Sequence, residues 1–309
     1  MKVAVLSLLV LCLAVPTYSF WSTGHMLIAK IAYDELKVKN STFLAEIEKE
    51  MTTIKQWTKE GDHMFTDAST WPDDNKEIGW GAMNDWHFTD DPFVQPDFEG
   101  EVPYEAMNAT WAIYQMKRTL NNKRDPTFNS NMALAFAWRY LIHLVGDIHQ
   151  PLHASSMFSK QFPKGDLGGN WYKIEFPDNP EIKNLHALWD ACVNQYGSIW
   201  TPSNETEWGW IEGFAANLTA NYPREKLSAR VKILDERVWG KESSKLAQEF
   251  VYQNIEFGSI PSEEYINQGR KIINEQLAVA GYRLADLIMT LSHKKYDTDS
   301  VVEFMLKRE

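Results

Sequence analysis

Cysteine is scarce in this chain of 309 residues, which contains only two. Cys12 lies in an N-terminal segment that we expect to be removed, so the mature chain would keep Cys192 alone. We therefore predict no disulfide, and the fold must be stabilised by core packing or by bound metal. Cys192 lies close to the apolar Trp189 and is predicted to be an ordinary buried residue.

An excess of positive charge is also missing. Lys and Arg number 31 against 42 Asp and Glu, and the formal net charge is −11. Proteins that bind nucleic acids through a basic surface use excess Lys and Arg to displace counterions, so composition alone argues against such a surface. A buried cluster of divalent cations would reverse the charge locally.

No apolar run is long enough to span a membrane, which takes about 20 residues. The apolar block Val3–Val15 is shorter, and with the flanking residues of segment 1–20 it has the pattern of a secretory signal peptide. We predict cleavage after Ser19 or Phe20. The mature chain, residues 21–309, should be a soluble monomer without a membrane anchor.

Four Asn-X-Ser/Thr sequons fit passage through a glycosylating compartment. The predicted glycosylation sites are Asn40, Asn108, Asn204 and Asn217. Together with the signal peptide, they predict a protein that is secreted or located in a secretory or lysosomal-type compartment.

The most informative stretch is the apolar run Tyr140–His153, which contains four side chains able to bind metal. Burying unpaired polar groups in such a run costs free energy, so these four side chains need a common partner. His143 and Asp147 are four residues apart and share one helix face, a spacing that suits a common ion. Pro151 ends or bends the helix before His153, which makes a second ion possible. The alternative is a buried histidine satisfied by a carboxylate one turn away.

Further candidates lie outside this run. His186 and Asp190 repeat the four-residue spacing on a predicted helix of about three turns. His25 stands near a helix start, Asp73 follows a proline, and His87 lies in an aromatic loop, so each alone could also be an ordinary polar residue. Nitrogen and carboxylate ligands without thiolates are typical of catalytic zinc.

Helical periodicity dominates the chain. The predicted helices cover residues 23–37, 42–55, 104–121, 131–149, 209–220, 241–255 and 262–291. Residues Trp171–Phe176 alternate like a short strand after a glycine-rich turn, which indicates a small β-hairpin. No internal repeat or domain boundary is evident, so we predict an all-α, single, mostly helical domain with one hairpin.

The motifs that carry these residues are similar to those of the class I zinc-dependent single-strand-specific nucleases, the family of mung bean nuclease and the secreted fungal nucleases. The resemblance runs from Trp21 to about Ala285. In order, the motifs are an N-terminal Trp followed by His, Trp-Pro-Asp, His-Phe-X-Asp, His-Leu-Val-Gly-Asp-Ile-His-Gln-Pro-Leu-His, Gly-Gly-Asn, Leu-His-X-Leu-Trp-Asp and Ala-Gly-Tyr-Arg-Leu-Ala.

The resemblance implies a helical fold shared with bacterial zinc phospholipases C, with three zinc ions in one cleft. The implied ligands are Asp73, His87, His143 and Asp147 for one ion; Trp21 (amine and carbonyl), His25 and the bridging Asp147 for its neighbour; and His153, His186 and Asp190 for the third. A free amine on Trp21 requires cleavage after Phe20.

The resemblance also implies how substrate binds. Phe88 would stack on a base, Asp90 would hydrogen-bond to that base, and Asn170 would lie beside the scissile region. Lys76 stands where many members have an arginine that contacts phosphate, so the charge is kept but the bidentate fork is lost.

The implied activity is that of an endonuclease and 3′-nucleotidase on single-stranded DNA and RNA, with 5′-phosphorylated products. Asp73, Asp147 and Lys76 are the predicted catalytic residues, with metal-activated water as the nucleophile. One alternative is a zinc phospholipase C, which shares the ligand set but opens onto lipid. Another is a secreted helical protein whose His/Asp pairs bind only structural zinc, or none.

Overall fold

The computed structural model describes residues 21–77, 81–103, 105–122, 130–201 and 203–293. The predicted signal peptide, residues 1–20, and residues 294–309 of the predicted domain lie outside this part of the chain. The side chains of Glu77 and His293 lie outside it as well.

Ten α-helices lie within the described residues, and they confirm the all-α prediction. They are α1 Ser22–Met51, α2 Met64–Asp67, α3 Trp71–Glu77, α4 Ala109–Asn121, α5 Asn131–Asp147, α6 Leu185–Asp190, α7 Glu205–Asn221, α8 Ser228–Val231, α9 Glu236–Leu246 and α10 Glu263–His293. Short 3-10 helices cover Thr52–Trp57, Ala68–Thr70, Gly81–His87 and Pro151–His153, and a π-helical turn covers Ala247–Val251. None of these described helices combines the length and apolarity that crossing a membrane requires.

Helices α1, α5 and α10 pack against one another and form the centre of the core. A Cβ added to Gly281 of α10 would lie 2.6 Å from the Cβ of Ile31 in α1, so glycine permits the close approach of these helices. Every residue of α5 from 137 to 147 is buried. The polar side chains at the end of α5 therefore lie in the protein interior, where they need partners.

A kink divides α1, which joins the two helices predicted over residues 23–37 and 42–55. Asn40 has a non-helical backbone (φ −160°, ψ 77°), and its Oδ1 accepts a hydrogen bond of 3.0 Å from the main-chain N–H of Phe43. This is the bond that an N-cap makes to a new helix. A second helical segment therefore begins at the kink, directly after the first.

The predicted β-hairpin is wrong. The two described strands, β1 Asp91–Val94 and β2 Ser155–Phe158, are parallel, and distant segments supply them. Residues 171–176 do alternate between exposed and buried side chains, as the pattern predicted. Their backbone makes one isolated bridge, between Lys173 and Asn184, and its other hydrogen bonds go to separate loops. The alternation shows that one side of the segment is buried. Any extended segment can have this pattern, whether or not it belongs to a β-sheet.

Helix α6 has six residues instead of about three turns, because a left-handed turn follows it. Residues 192–194 all have φ between 50° and 55°, a conformation that costs each non-glycine residue roughly 1–2 kcal/mol. Arg270 of α10 donates hydrogen bonds of 3.2 and 3.1 Å to the main-chain oxygens of Val193 and Asn194. Cys192 is buried, as predicted, and its thiol is free in the described part of the chain.

Candidate metal centre

Eight of the predicted ligand side chains meet around the C-terminal end of α5. They are His25 of α1, Asp73 of α3, His87, His143 and Asp147 of α5, His153, and His186 and Asp190 of α6. Seven of these residues are at most 1% exposed, and the Asp73 side chain is 24% exposed. Ionisable groups buried at this density must be paired with one another or bind metal.

Four atoms define a first group. Nε2 of His143 lies 2.9 Å from Asp147 Oδ2 and 2.9 Å from His87 Nδ1. Asp73 Oδ1 lies 3.5 Å from His143 Nε2 and 3.6 Å from His87 Nδ1. Tetrahedral ligands at zinc–ligand distances of 2.0–2.1 Å are about 3.3 Å apart. The four atoms therefore have the spacing of ligands to a single ion.

The carboxylate of Asp147 faces two sides of the cluster. Its Oδ2 belongs to the first group, and its Oδ1 lies 3.3 Å from His25 Nε2 and 3.2 Å from His153 Nδ1. A Cβ added to Gly146 would come within 2.6 Å of His25 Nδ1, so glycine beside Asp147 lets the ring of His25 enter the centre. One carboxylate therefore connects ligand candidates from both sides.

His153, His186 and Asp190 form a separate group. Asp190 Oδ1 lies 3.3 Å from His153 Nε2, and Asp190 Oδ2 lies 3.1 Å from His186 Nε2. Gln150 Nε2 donates a 2.7 Å hydrogen bond to Asp190 Oδ1. The sequence analysis did not indicate this role for Gln150. Its position between His149 and Pro151 in the central motif is the feature that could have pointed to it.

Main-chain carbonyls orient three of the imidazoles. Nδ1 of His143 lies 2.6 Å from the Ser69 oxygen, and Nδ1 of His186 lies 2.7 Å from the Gly168 oxygen. Nδ1 of His153 lies 3.1 Å from the oxygen of His87. Because a carbonyl only accepts, each Nδ1 carries a proton, and Nε2 of each ring faces the centre, where it can bind a metal once it is deprotonated.

This arrangement fits a bound cation. His186 Nε2 and Asp190 Oδ2 are buried and 3.1 Å apart, yet their geometry is not that of a hydrogen bond. An unprotonated imidazole nitrogen and a carboxylate oxygen this close repel each other unless a proton or a metal cation lies between them. Three sets of ligand atoms each lie within 4.8 Å of one another: His25, Asp73 and His143; His87, His143 and Asp147; and His153, His186 and Asp190.

Neighbouring positive charges favour the ionised form of the carboxylates in the cluster. Burial by itself would raise the pKa of Asp147, but the imidazoles of His143, His153 and His87 hold that pKa well below its usual value. Burial is likewise outweighed at Asp190, where His186 and His153 lower the pKa. Burial would also raise the pKa of Asp73, but neighbouring charges lower it, and the largest of these lowering effects comes from Lys76. The centre thus holds the negative charge that divalent cations require.

Comparison with known proteins identifies the family. A family model described as S1/P1 Nuclease matches residues 20–293, which include all eight side chains of the cluster. This chain belongs to the S1/P1 nuclease family. Endonuclease 3 of Arabidopsis thaliana is 26% identical over 299 residues, which cover 92% of this chain and 93% of that relative. Nuclease S1 of Aspergillus oryzae is 24% identical over 289 residues, covering 89% of this chain and 92% of that relative.

Family membership confirms the predicted resemblance and gives the class of activity. As a member of the S1/P1 nuclease family, the protein is a hydrolase that acts on nucleic acid. Its acidic composition is compatible with this activity, because a divalent cation bound at the candidate centre would attract phosphate locally.

Trp21 lies at the start of α1 in this S1/P1 nuclease. Its main-chain nitrogen is 3.0 Å from the main-chain oxygen of Asp190, and its oxygen accepts a 2.8 Å hydrogen bond from the N–H of Gly24. The chain start of the predicted mature protein therefore lies beside a residue of the cluster. The role of Trp21 as a ligand stays a prediction.

The predicted substrate residues border the same centre in this S1/P1 nuclease. The half-buried Phe88 ring is centred 4.9 Å from the ring of His153. Lys76 Nζ lies 2.8 Å from Asp73 Oδ1 and 5.9 Å from the Phe88 ring centre. Asp90 is exposed and has a positive φ of 46°. These positions form a rim around the cluster, and their roles stay predictions.

Asn170 lies on the glycine-rich loop that contacts the group formed by His153, His186 and Asp190. Its Nδ2 donates a 2.9 Å hydrogen bond to the oxygen of Leu167. Gly168 has φ 59°, and an added Cβ there would come within 3.5 Å of His186 Nδ1 and clash with the oxygen of Leu152. The glycine therefore allows the loop to contact His186, and Asn170 is positioned next to this contact.

The four sequon asparagines are exposed or half-buried in the S1/P1 nuclease. Asn108 and Asn204 are N-caps of α4 and α7, and their side chains accept hydrogen bonds from main-chain N–H groups. A glycan is attached through Nδ2 and leaves Oδ1 to accept, so capping and glycosylation are compatible. Occupancy at Asn40, Asn108, Asn204 and Asn217 stays a prediction.

Proposed function

We propose that this nuclease is a secreted zinc-dependent endonuclease and 3′-nucleotidase that hydrolyses single-stranded DNA and RNA to 5′-phosphorylated products. The observation that supports the proposal most strongly is the carboxylate of Asp147, whose Oδ2 lies near His143 and whose Oδ1 lies near His25. Two-metal sites in nucleases hold their ions about 3.5–4 Å apart. Asp147 would therefore contribute to both of the ligand sets that meet at its carboxylate.

The proposed ligand sets would hold three zinc ions. They are Asp73, His87, His143 and Asp147; Trp21, His25 and Asp147; and His153, His186 and Asp190. The distances within the side-chain sets and the carbonyl-oriented imidazoles support these assignments. Direct measurement of metal content by mass spectrometry tests the number, which should fall below three when any one set is disrupted.

Bound zinc would supply a nucleophilic water near neutral pH and Lewis-acid stabilisation of the phosphoryl oxygens. Asp73 and Asp147 orient and balance the charge of this centre. Lys76 is 16% exposed and keeps its ammonium 2.8 Å from Asp73 Oδ1, so the ammonium can contact a phosphate oxygen from the rim. No side chain is assigned as a general base.

The preference for single strands follows from Phe88. Its ring is half-buried and centred 4.9 Å from the ring of His153, and we propose that its exposed part stacks on a base. Stacking on an aromatic side chain needs an unpaired base, because a duplexed base has no free face. The exposed Asp90 would hydrogen-bond to that base, and Asn170 would contact the substrate next to the scissile bond.

Four substrates separate the proposal from its alternatives. The mature protein is incubated with single-stranded DNA, single-stranded RNA, a 3′-nucleotide and phosphatidylcholine, with chelator and after zinc is restored. We expect 5′-phosphorylated oligonucleotides and release of phosphate from the 3′-nucleotide, both abolished by chelator. Hydrolysis of phosphatidylcholine alone would identify a phospholipase C. Hydrolysis of none of the four would indicate a structural role for the cluster.

The proposed compartment and oligomeric state need their own measurements. N-terminal sequencing of the secreted protein should begin at Trp21, since cleavage after Phe20 frees the amine that we propose as a ligand. A first residue of Phe20 contradicts that ligand and leaves the other two sets unchanged. Light scattering should give the mass of a monomer.

A further inference from the structure

A neutral groove with aromatic walls lies along one face of α7. Its volume is about 520 Å³, within the range of about 300–1,000 Å³ that small-ligand sites occupy. The lining includes Tyr196, Gly209, Trp210, Gly213, Phe214 and Asn217. None of the described residues that line it is charged, and none belongs to the metal centre.

We propose that the N-linked glycan of Asn217 occupies this groove, with its first N-acetylglucosamine packed against Trp210 and Phe214. Asn217 both lines the groove and begins an Asn-Leu-Thr sequon. The site thus assigned is an intramolecular carbohydrate-binding groove on α7. It rests on the predicted passage of the chain through a glycosylating compartment and is independent of the proposed catalytic roles.

The direction of helical side chains brings the glycan to the groove. In an α-helix each Cα–Cβ bond tilts toward the N-terminus, and residues three, four and seven positions apart share a face. A glycan on Asn217 therefore leans over Phe214 and Gly213 toward Trp210. A Cβ added to Gly209 or Gly213 would meet nothing within 4 Å, so these glycines leave open space along that path.

The side-chain amide of Asn217 is held in a suitable orientation. Asn221 Nδ2 donates hydrogen bonds of 2.9 Å to the main-chain oxygen of Asn217 and 3.3 Å to its Oδ1. Both bonds use acceptors, so Nδ2 of Asn217 remains available for the bond to sugar. The exposed position of Asn217 gives that nitrogen room for a saccharide.

The chemistry of the lining suits a neutral sugar. One face of a pyranose presents C–H groups, which pack on aromatic rings as other apolar surfaces do. Trp210 is 53% exposed, and the rings of Tyr196 and Phe214 are centred 4.9 Å apart. A phosphodiester in this groove would need a cationic partner, which its lining does not offer. A saccharide would cover apolar surface that is otherwise in contact with water.

Oxidative footprinting of Trp210 tests the proposal in protein from a glycosylating host. Thr219→Ala removes the sequon and keeps Asn217, and Thr219→Ser keeps both the sequon and a hydroxyl. We expect Trp210 oxidation in the parent and in Thr219→Ser to be about half of that in Thr219→Ala, because a sugar on one face leaves the other open. Trp200, which is 68% exposed, serves as the internal reference and should not change.

A second sequon on the same helix provides the matched control. Thr206→Ala removes the sequon of Asn204 at the start of α7 and should leave Trp210 oxidation unchanged. In protein from a host without N-glycosylation, Thr219→Ala should have no effect on Trp210. An unmodified Asn217 in glycopeptide mapping would overturn the proposal, as would equal oxidation of Trp210 with and without its glycan. Nuclease activity should be the same in all these variants.

Discussion

Nη1 of Arg283 lies 3.0 Å from Nε2 of His149, and both side chains are fully buried. His149 Nδ1 lies 2.7 Å from the main-chain oxygen of Val145 and so carries the proton, which leaves Nε2 to accept from the guanidinium. Gln276 of the same helix, α10, donates a 2.8 Å hydrogen bond to the main-chain oxygen of His149. Helix α10 thereby holds the segment that follows α5 and leads to His153.

Replacement of His149 by Phe should destabilise the protein. The substitution leaves a buried donor of Arg283 without its acceptor, which costs about 1–3 kcal/mol. The free energy of unfolding in urea measures this loss, and zinc affinity should fall as well because the segment before His153 loosens. The control is His63→Phe, which makes the same substitution at a half-buried histidine that is distant from His149 in the sequence. Equal losses in the two variants would contradict the role of the Arg283 contact.

Two neighbouring aspartates of α3 should differ sharply in importance. Asp73→Asn removes a carboxylate that lies within 3.6 Å of two imidazoles, whereas Asp74→Asn removes one that pairs with Lys59 at 3.4 Å. We expect Asp73→Asn to lower kcat/KM by at least about 100-fold and to reduce zinc content, since loss of outer metal partners alone costs 10–100-fold. Asp74→Asn should retain near-parental values. Full activity of Asp73→Asn would remove Asp73 from the ligand set.

Loss of the Phe88 ring should weaken selection for single strands. Phe88→Ala removes a stacking surface worth about 1–3 kcal/mol per base, so KM for single-stranded DNA should rise about 10-fold or more. Phe88→Tyr keeps the ring and should stay close to the parent. Rates on matched single and double strands provide the readout. An unchanged ratio between them in Phe88→Ala would show that another feature of the site excludes duplexes.

The charge of Lys76 should contribute to turnover. Lys76→Met removes the ammonium and should lower kcat on both DNA and a 3′-nucleotide by roughly 10–100-fold, as expected for loss of a charged contact to phosphate. Lys76→Arg should retain or raise kcat because the guanidinium can form a bidentate contact. If Lys76→Met were fully active while its zinc content was unchanged, Lys76 would have no catalytic role.

Asp67 should make stability depend on pH. Burial raises its pKa from the usual 3.8 to about 6, and its Oδ2 accepts a 2.9 Å hydrogen bond from the N–H of Gly61. Because the folded pKa exceeds the unfolded one, the protonated form favours folding. This contribution is complete below about pH 4 and is lost as the pH rises through about 6.

Asp67→Asn keeps an acceptor for Gly61 and removes the charge. We expect the variant to be more stable than the parent by on the order of 1–2 kcal/mol at pH 8, with the difference vanishing near pH 4. Denaturant titrations at the two pH values measure this difference. Asp62→Asn, at an exposed neighbour, is the control and should show no such pH dependence. An equal gain at both pH values would show that charge is not the cause.

Local geometry explains which parts of the centre could be predicted from sequence. The pairs His143/Asp147 and His186/Asp190 follow from four-residue helical spacing, and both pairs are in contact in the structure. Asp73 was not indicated by spacing, because its approach to His143 depends on how α3 packs against α5. Its position after a proline made it a candidate, and the resemblance to a known family assigned it to a ligand set.

Long-range pairing explains what the sequence did not indicate. The strands β1 and β2 contain four residues each and are separated by about 60 residues, and all four residues of β2 are buried, so no alternation marks it. The helix α6 ends early because Arg270 stabilises a left-handed turn from a distant part of the chain. Such tertiary contacts override the local preference for continuing a helix.

The left-handed turn after α6 also encloses the thiol of Cys192, which is 1% exposed and whose pKa is raised by burial. Thiolate is the form that attacks disulfides, and neither oxidants nor foreign thiols can reach this sulfur without local opening. In an oxidising compartment, an odd cysteine usually invites cross-linking between chains. Here the folded protein keeps the thiol of Cys192 chemically silent, so mixed disulfides and covalent dimers that involve Cys192 should report unfolding.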